Sequence, residues 1–465
     1  MTTQIIDGAA KLPPHLPSRH PLGVLPEIRR DPIGFMERLV GRPEPVIGYR
    51  LGPKQSYLVK HPDGIKRVLQ DNVRNYTKDH LSYTMVRWVG GNGLLTSQGD
   101  FWLRQRRIAA PAFHRQRIAA WGDMMVEETE RMVAGWLPRA GETLNIADAL
   151  TTLTLSIVGR ALFGAHIADD TRAVSDGFHE LSAQLVDRFR SGNVLPPRLP
   201  WGADRRWRRS MAEIDAVVYR IIDERRTSNT DTGDLISMLM LTEDADTGER
   251  MDDRQLRDEV LTMLLAGHET TAALLSWALA QLARSPAAAE RLDDELRALP
   301  DRPLTTEDLP RLVYTRMVID ETLRLCPPVY LISRQVAEDD TICGYAVRGG
   351  SWLDLSPYVT HRSPEIWDRP NTFEPERFAP GRENDRPRYA YFPFLGGPRQ
   401  CIGNTFALTE ATLVLATIAR TVRLTLPGDA APLVPEPLIT MRPKGGVWLR
   451  LGPIAPGRLS TDRHR

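Results

Sequence analysis

A proline-free stretch from Asp252 to Ser285 carries a hydrophobic pattern of helical length, and Pro286 follows it directly. Its middle segments, Leu261 to Leu265 and Ala272 to Leu279, are too apolar for a surface helix. At about 1.5 Å of rise per residue, a helix of this length would cross most of a domain. The pattern therefore predicts a long buried helix at the centre of the fold.

The remaining patterns predict a mainly α chain with a minor β region. Helices are expected at residues 63–69, across 100–164 with breaks near Pro111, Pro138 and Gly141, and from 170 to Gly192, where glycine and then prolines up to residue 200 break the pattern. Strands are expected at 45–51, 55–59, 329–332 and 352–355 and in alternating segments of 421–451. Residues 72–93 show no clean period and are expected to form an irregular loop.

Composition limits the class of protein and its partners. The chain has 465 residues, of which 42% are hydrophobic and 26% charged, as in an ordinary globular protein with a large core. A formal net charge of +1 gives no footprint for nucleic acid. The three cysteines, Cys326, Cys343 and Cys401, have no paired spacing, which argues against a disulfide framework or a cysteine-built zinc site.

The N-terminal segment from Met1 to Val40 is broken by six prolines. It contains no apolar run long enough for a signal peptide or a membrane span. We therefore expect a cytoplasmic protein without a membrane span.

A glycine- and proline-bearing loop from Phe394 to Gly403 places a single cysteine, Cys401, just before a predicted helix that opens at Asn404. The unpaired N–H groups and the positive end of that helix would favour thiolate, the form that binds metal. Glycines in the loop would let a large flat group approach the backbone. A buried structural cysteine beside a turn is the alternative interpretation.

The loop matches the pattern F-x-x-G-x-R-x-C-x-G at Phe394, Gly397, Arg399, Cys401 and Gly403. This pattern resembles the haem-ligand loop of the cytochrome P450 family. The resemblance implies haem b, with the Cys401 thiolate as the axial metal ligand and with Phe394 and Gly403 beside the cofactor. It also implies one haem domain, residues 32–451, between a lead at 1–31 and a tail at 452–465, with haem between the long helix and the cysteine loop.

Inside the long helix, the motif Ala266-Gly267-His268-Glu269-Thr270-Thr271 interrupts an apolar segment. One interpretation is a locally kinked helix whose threonines bond back to their own turn. The motif also resembles the oxygen-binding groove of the same family. That resemblance implies that Ala266 leaves room over the haem while Thr270 and Glu269 deliver protons.

Two further sets of charged residues match the family. Glu321 and Arg324 stand three apart on one predicted helix face and, with Arg377, resemble the family's buried ion-pair network. The resemblance also implies that four residues hold the haem propionates: Trp102, Arg106, Arg334 and Arg399.

The resemblance implies a haem-thiolate monooxygenase that inserts one oxygen atom from O2 into a C–H bond. Electrons from NAD(P)H would arrive through a ferredoxin or flavodoxin and its reductase, and Arg104 and Arg107 are candidates for an electron-donor docking patch. The substrate is expected to be a lipophilic fatty acid, terpenoid or steroid. Its contacts are expected at Met85, Leu265, Val329 and Leu331, and the protein is expected to be a monomer.

Two alternatives stay open at this point. A haem-thiolate enzyme could use peroxide without external electrons, although the Glu269-Thr270 pair argues against this. A hydrolase could use Cys401 as its nucleophile, but no histidine base lies close to Cys401 in the sequence.

Overall fold

A computed structural model describes residues 10–164, 168–193, 195–197, 199, 201–228 and 233–454 of the chain. Pro200, part of the predicted break, and the tail beyond residue 454 lie outside these ranges. The α-helices are α1 Leu25–Arg30, α2 Pro32–Val40, α3 Pro62–Lys66, α4 Leu81–Gly90, α5 Gly99–Ala109, α6 Arg115–Ala120, α7 Gly122–Ala134, α8 Ile146–Phe163, α9 Ala168–Ser191, α10 Gly202–Ser228, α11 Leu235–Leu241, α12 Asp253–Arg284, α13 Pro286–Arg297, α14 Val313–Leu325, α15 Pro357–Thr360 and α16 Asn404–Thr421. The mainly helical fold class is confirmed.

The strands form small sheets. They are β1 Val46–Leu51, β2 Lys54–Val59, β3 Tyr76–Thr77, β4 Thr143–Asn145, β5 Ile332–Val336, β6 Asp340–Ile342, β7 Tyr345–Val347, β8 Trp352–Leu355, β9 Val422–Thr425, β10 Pro435–Pro437, β11 Met441–Pro443 and β12 Trp448–Ile454. The largest sheet has the order β1-β2-β8-β5-β3, in which only β2 and β8 run parallel. The predicted hairpin β1–β2 and the C-terminal antiparallel strands are confirmed.

Helix α12 confirms the predicted central helix. It has 32 residues and is therefore about 48 Å long. The Asp252 side chain caps its N-terminus by accepting a hydrogen bond from the Gln255 N–H at 2.7 Å. The helix packs against α4, α8, α10, α14 and α16, so most of its length is buried. It is therefore the central helix against which these helices pack.

Two local predictions are wrong. Residues 72–93 are not simply an irregular loop, because Leu81–Gly90 forms α4, whose Met85 and Val89 share a buried face. The predicted strand at 329–332 begins only at Ile332, which pairs with Leu355, the last residue of β8. Leu331 therefore has no strand residue opposite it.

The predicted division into a lead and a haem domain stays a prediction. Residues of the lead nevertheless pack on the sheet. Lys11 and His15 form bridges with Tyr345 and Gly48, and Leu16 and Val24 are buried.

In the described part of the chain, one helix is long and apolar enough to cross a membrane by length and composition. This helix is α8, with a mean hydropathy of 1.4. However, 61% of it is buried inside the protein, where it packs against α12. Core helices of globular proteins meet the same criterion, so α8 is weak evidence for a span.

A buried charge network joins α14 to the turn at Pro375–Phe378. Glu321 and Arg324, both fully buried, form an ion pair at 2.7 Å, and Arg377 lies 3.5 Å from Glu321. The Arg324 guanidinium also donates to the carbonyl oxygens of His361, Pro370 and Thr372. Every strong donor of Arg324 is therefore engaged, which makes burial of its charge tolerable.

We predict that Glu321→Ala lowers the free energy of unfolding by about 3–5 kcal/mol, because the fully buried Arg324 loses its only carboxylate and Arg377 loses one of two. Urea unfolding of the haem-loaded protein measures the change. Glu142→Ala is the matched control, since Glu142 also pairs with an arginine at spacing i,i+3 but is exposed. The control should change stability by less than about 1 kcal/mol. Equal effects of the two variants would contradict the prediction.

Candidate functional site

The loop before α16 holds Cys401 at its end. A short 3-10 turn at Gly397–Arg399 precedes the cysteine, and the Cys401 N–H donates to the Phe394 carbonyl oxygen at 3.0 Å. The predicted helix begins at Asn404, as expected. Cys401 is exposed, although protein atoms surround its sulfur densely. This combination is expected of a sulfur that faces an internal cavity.

The electrostatics of this sulfur differ from the expectation. Burial raises the pKa of the Cys401 thiol, and the Gly403 N–H and the charge of Arg106 oppose that shift without cancelling it. The helix N-terminus alone therefore does not produce a thiolate. Metal ligation requires deprotonation, so a bound iron ion would supply the remaining stabilisation of the thiolate.

The glycines of the loop serve two purposes. A Cβ on Gly396 would overlap the Tyr389 ring, and a Cβ on Gly397, whose φ is +65°, would overlap the Leu69 carbonyl. These two glycines allow close packing of protein on protein rather than the approach of a cofactor. At Gly403 the nearest atom to a Cβ would be in Phe113, 3.9 Å away. Gly403 is thus the glycine that borders open space beside the sulfur.

Four cations cluster next to Cys401: Lys78, Arg106, Arg334 and Arg399. The Arg399 guanidinium donates to the Ser97 carbonyl at 2.9 Å and stacks 3.6 Å from the centre of the Trp102 ring. Arg334 donates to the Tyr83 hydroxyl and to the Ser333 carbonyl. Arg106 is close enough to influence both Cys401 and Arg399. The structure thus brings together the residues predicted to hold propionates.

Lys78 is a member of this cluster that sequence reasoning missed. Its side chain is only 7% exposed and donates to the Leu95 carbonyl at 2.6 Å. Burial, then the charges of Arg399 and Arg334, lower the pKa of Lys78 well below its ordinary value. Burial also lowers the pKa of Arg399 to about 10. Lys78 lies in a short connection before α4, where no motif marks it.

The charge of this cluster shows whether the site fits haem. In the described ranges, none of the four cations forms an ion pair with a carboxylate. Burying several like charges without an anion is costly. The propionate carboxylates of haem b are anions of the required kind. A haem whose iron meets Cys401 would place them among these cations, so the residues present fit the group.

The predicted groove lies in the middle of α12. Residues 260–265 and 271–280 are buried, whereas Ala266 is exposed and Gly267, Glu269 and Thr270 are half-buried. The hydroxyls of Thr270 and Thr271 donate to the carbonyls of Ala266 and Gly267 at 2.6 and 3.0 Å. Back-bonding of the threonines is therefore observed, and it coexists with an open notch in the helix surface. The proton-delivery roles of Glu269 and Thr270 remain predictions.

The four predicted substrate contacts have different environments. Met85 and Leu265 are buried in the main core. Val329 is half-buried, and Leu331 is 40% exposed. Their contact with substrate stays a prediction.

Arg104 and Arg107, the candidates for an electron-donor docking patch, both form ion pairs within the chain, and their docking role stays a prediction. Arg104 forms an ion pair with Glu249. Arg107 pairs with Asp244 at 2.7 Å and with Asp246 at 3.0 Å. These carboxylates lie between α11 and α12, and they neutralise both arginines within the chain.

A second set of residues that sequence reasoning missed ties the loop at 91–97 to the start of α12. Asp258 accepts a hydrogen bond from the Asn92 N–H at 2.8 Å, and Glu259 accepts one from the Leu94 N–H at 3.0 Å. The fit is tight, since a Cβ on Gly91 would overlap the Asp258 carboxylate. The same loop supplies the carbonyls that Lys78 and Arg399 use. Helix α12 therefore anchors the cation cluster as well as the groove.

Comparison with known proteins gives consistent matches. A family model described as Cytochrome P450 matches residues 13–450. Cyclooctatin synthase from Streptomyces melanosporofaciens is 36% identical over 430 residues, which cover 91% of this chain and 90% of that protein. Pentalenene oxygenase from Streptomyces avermitilis is 32% identical over 434 residues, covering 93% and 95%. The crystal structure of the cytochrome P450DA heme domain superposes with a TM-score of 0.87 at 28% identity and covers 95% of this chain and 97% of that one.

We predict that Arg399→Met accelerates haem loss by about tenfold, since a charge-assisted hydrogen bond would be removed. The same change should make the haem-free protein more stable, because one half-buried cation without a carboxylate partner disappears. Haem transfer to apomyoglobin and urea unfolding of the haem-free protein measure the two effects. The control is Arg388→Met, which removes an exposed arginine. Slower or unchanged haem loss would contradict the assignment.

We predict a pH-dependent stability that originates at Glu259. Burial raises the pKa of this carboxyl from 4.5 to about 7, although two hydrogen-bond donors oppose the shift. The folded protein therefore binds this proton more tightly than the unfolded chain. The resulting stabilisation is complete below about pH 4.5 and is lost as the pH rises through about 7.

Urea unfolding of the haem-loaded protein between pH 5 and pH 8 tests this assignment. Glu259→Gln should flatten the slope in that range, and Glu142→Gln, a change at an exposed position, should leave it intact. An unchanged slope in Glu259→Gln would exclude Glu259 as the source.

Proposed function

The chain belongs to the cytochrome P450 family, whose model it matches over residues 13–450, and we propose that its substrate is a cyclic terpenoid. It is a monooxygenase that uses haem, O2 and electrons derived from NAD(P)H. The observation on which the assignment of the site rests is the cluster of buried and partly buried cations beside Cys401 that have no carboxylate partner in the described ranges. This arrangement matches an anionic cofactor that is ligated by sulfur.

The relatives support the substrate class. Cyclooctatin synthase and cyclooctat-9-en-7-ol 5-monooxygenase, both from Streptomyces melanosporofaciens, are each 36% identical to this chain. An ultra-long-chain fatty acid omega-hydroxylase from Homo sapiens is 31% identical. The higher identity to the enzymes named for cyclooctatin compounds favours a cyclic terpenoid over a long fatty acid.

Each part of the site has a proposed task. When bound, haem supplies the activation of O2. Cys401 would ligate the iron, and Lys78, Arg106, Arg334 and Arg399 would hold the propionates. The small Ala266 keeps the notch in α12 open for O2.

Glu269 and Thr270 would deliver protons to the notch. The Glu269 Oε2 atom is buried and accepts no hydrogen bond among the described residues, so it is available to take up a proton. The Thr270 hydroxyl, which here donates to the Ala266 carbonyl, would turn to donate into the notch.

We further propose that electrons arrive from a separate ferredoxin or flavodoxin and its reductase. Docking at Arg104 and Arg107 stays a prediction, since both arginines already pair with carboxylates of this chain. Monomeric state and cytoplasmic location stay predictions.

Haem spectroscopy and turnover test the proposal. The reduced protein with carbon monoxide should show the absorption band typical of thiolate ligation, and Cys401→Ser should lose it. Polycyclic terpene hydrocarbons and alcohols should shift the ferric spin state and be oxygenated when ferredoxin, its reductase and NAD(P)H are supplied. Long-chain fatty acids are the matched negative set. A spin shift with fatty acids but not with terpenoids would overturn the substrate class. Turnover with hydrogen peroxide but not with the ferredoxin system would overturn the electron route.

A further inference from the structure

The carboxyl group of Glu269 is held by a residue far away in the sequence. Its Oε1 accepts a hydrogen bond from the Thr440 hydroxyl at 3.0 Å. The neighbouring Thr270 hydroxyl donates instead to the Ala266 carbonyl, so the acid and the hydroxyl of the groove have different partners. Thr440 is only 4% exposed, and the other Glu269 oxygen is buried without a hydrogen bond in the described part of the molecule. The hydrogen bond from Thr440 therefore orients the Glu269 carboxyl group.

The segment that carries Thr440, residues 438–441, is fixed on both sides. On the side of α12, the Trp277 Nε1–H donates to the Met441 carbonyl at 3.1 Å. On the other side, the Met441 N–H donates to the Pro328 carbonyl at 2.9 Å, and the Tyr330 hydroxyl donates to the Leu438 carbonyl at 2.8 Å. The segment thus bridges the central helix and residues 328–330.

Residues 328–330 adjoin the stretch expected to face the substrate. Pro328 and Tyr330 flank Val329, and Leu331 follows, outside strand β5. A displacement of this stretch by a bound molecule would move the carbonyls and donors that hold residues 438–441. Two of these hydrogen bonds, Met441 to Pro328 and Tyr330 to Leu438, would transmit the displacement to the segment. The hydrogen bond from Thr440 would then transmit it to the Glu269 carboxyl.

We propose that Thr440 is a positioning residue that aims Glu269 at the notch, and that residues 438–441 link the position of this acid to substrate binding. The inference rests on the proposed monooxygenase function, because it assigns Thr440 a role in proton delivery at the same site. Thr440 acts only by donating a hydrogen bond. No proton leaves its hydroxyl, and Glu269 remains the group that takes up and releases the proton.

The first test follows the Glu269 carboxyl directly. The infrared difference spectrum between the haem-loaded protein and Glu269→Gln isolates the carboxyl band. That band should shift in Thr440→Val, which removes the donor at nearly constant volume, and stay in place in Thr440→Ser, which keeps it. Binding of a spin-shifting substrate should also move the band in the unmodified protein. Thr421→Val is the matched control, because Thr421 is an equally buried threonine whose hydroxyl bonds to its own helix.

The second test measures how much of the O2 consumed appears in product. Thr440→Val should lower this fraction on the order of tenfold and release hydrogen peroxide, with little change in KM, because the hydrogen bond that orients the Glu269 carboxyl is lost. Thr440→Ser and Thr421→Val should retain it. In a Glu269→Gln background, Thr440→Val should have no further effect, since the two residues act as one unit.

The outcomes separate the two levels of proposal. An identical Glu269 band in Thr440→Val and the unmodified protein overturns the positioning role, whatever the substrate. A shifted band in a protein that oxygenates no terpenoid supports the positioning role while the proposed substrate class fails. Full coupling in Thr440→Val overturns the link to proton delivery.

Discussion

The uncompensated positive charge beside Cys401 is the constraint on which the rest of the site depends. Lys78, Arg334 and Arg399 are held by backbone carbonyls, a tyrosine hydroxyl and an aromatic ring, all of which orient a cation but do not neutralise it. Such an arrangement raises the free energy of the haem-free protein. It becomes favourable when anions enter the space between the cations. The folded chain is therefore organised around a group that the chain itself does not contain.

The network at Glu321 shows the opposite solution to the same problem. There, two arginines share a buried carboxylate, and carbonyl oxygens satisfy the remaining donors of Arg324. With Glu374, which pairs with Arg377 at 3.0 Å, that network balances its charges without any ligand, and it fixes α14 against the segment leading to the cysteine loop. The protein thus combines a charge-balanced network, which stabilises the scaffold, with a cluster of cations that has no carboxylate partner in the described ranges. Only the cation cluster indicates a binding site for an anionic group.

The sequence alone was sufficient where a pattern extends over many residues or where several fixed positions coincide. The central helix, the loop of Cys401 and the Glu321–Arg324 pair could be predicted for this reason. Lys78, Glu259 and Thr440 could not, because each acquires its importance from a tertiary contact with a distant segment and carries no local signal. The fates of Arg104 and Arg107 show the same limit. Their charge is visible in the sequence, but the carboxylates that neutralise it are more than a hundred residues away.

The tight packing of Gly91 against Asp258 has a consequence for engineering. Residues 91–97 lie beside the start of α12, and their backbone carbonyls orient Lys78 and Arg399. Any side chain introduced at Gly91 would displace the Asp258 carboxylate, which holds the loop. Variants at Gly91 that are selected for a new substrate would therefore also bind the cofactor less firmly. Diversity introduced at positions 329 and 331 avoids that trade-off, because those side chains are not part of the anchorage.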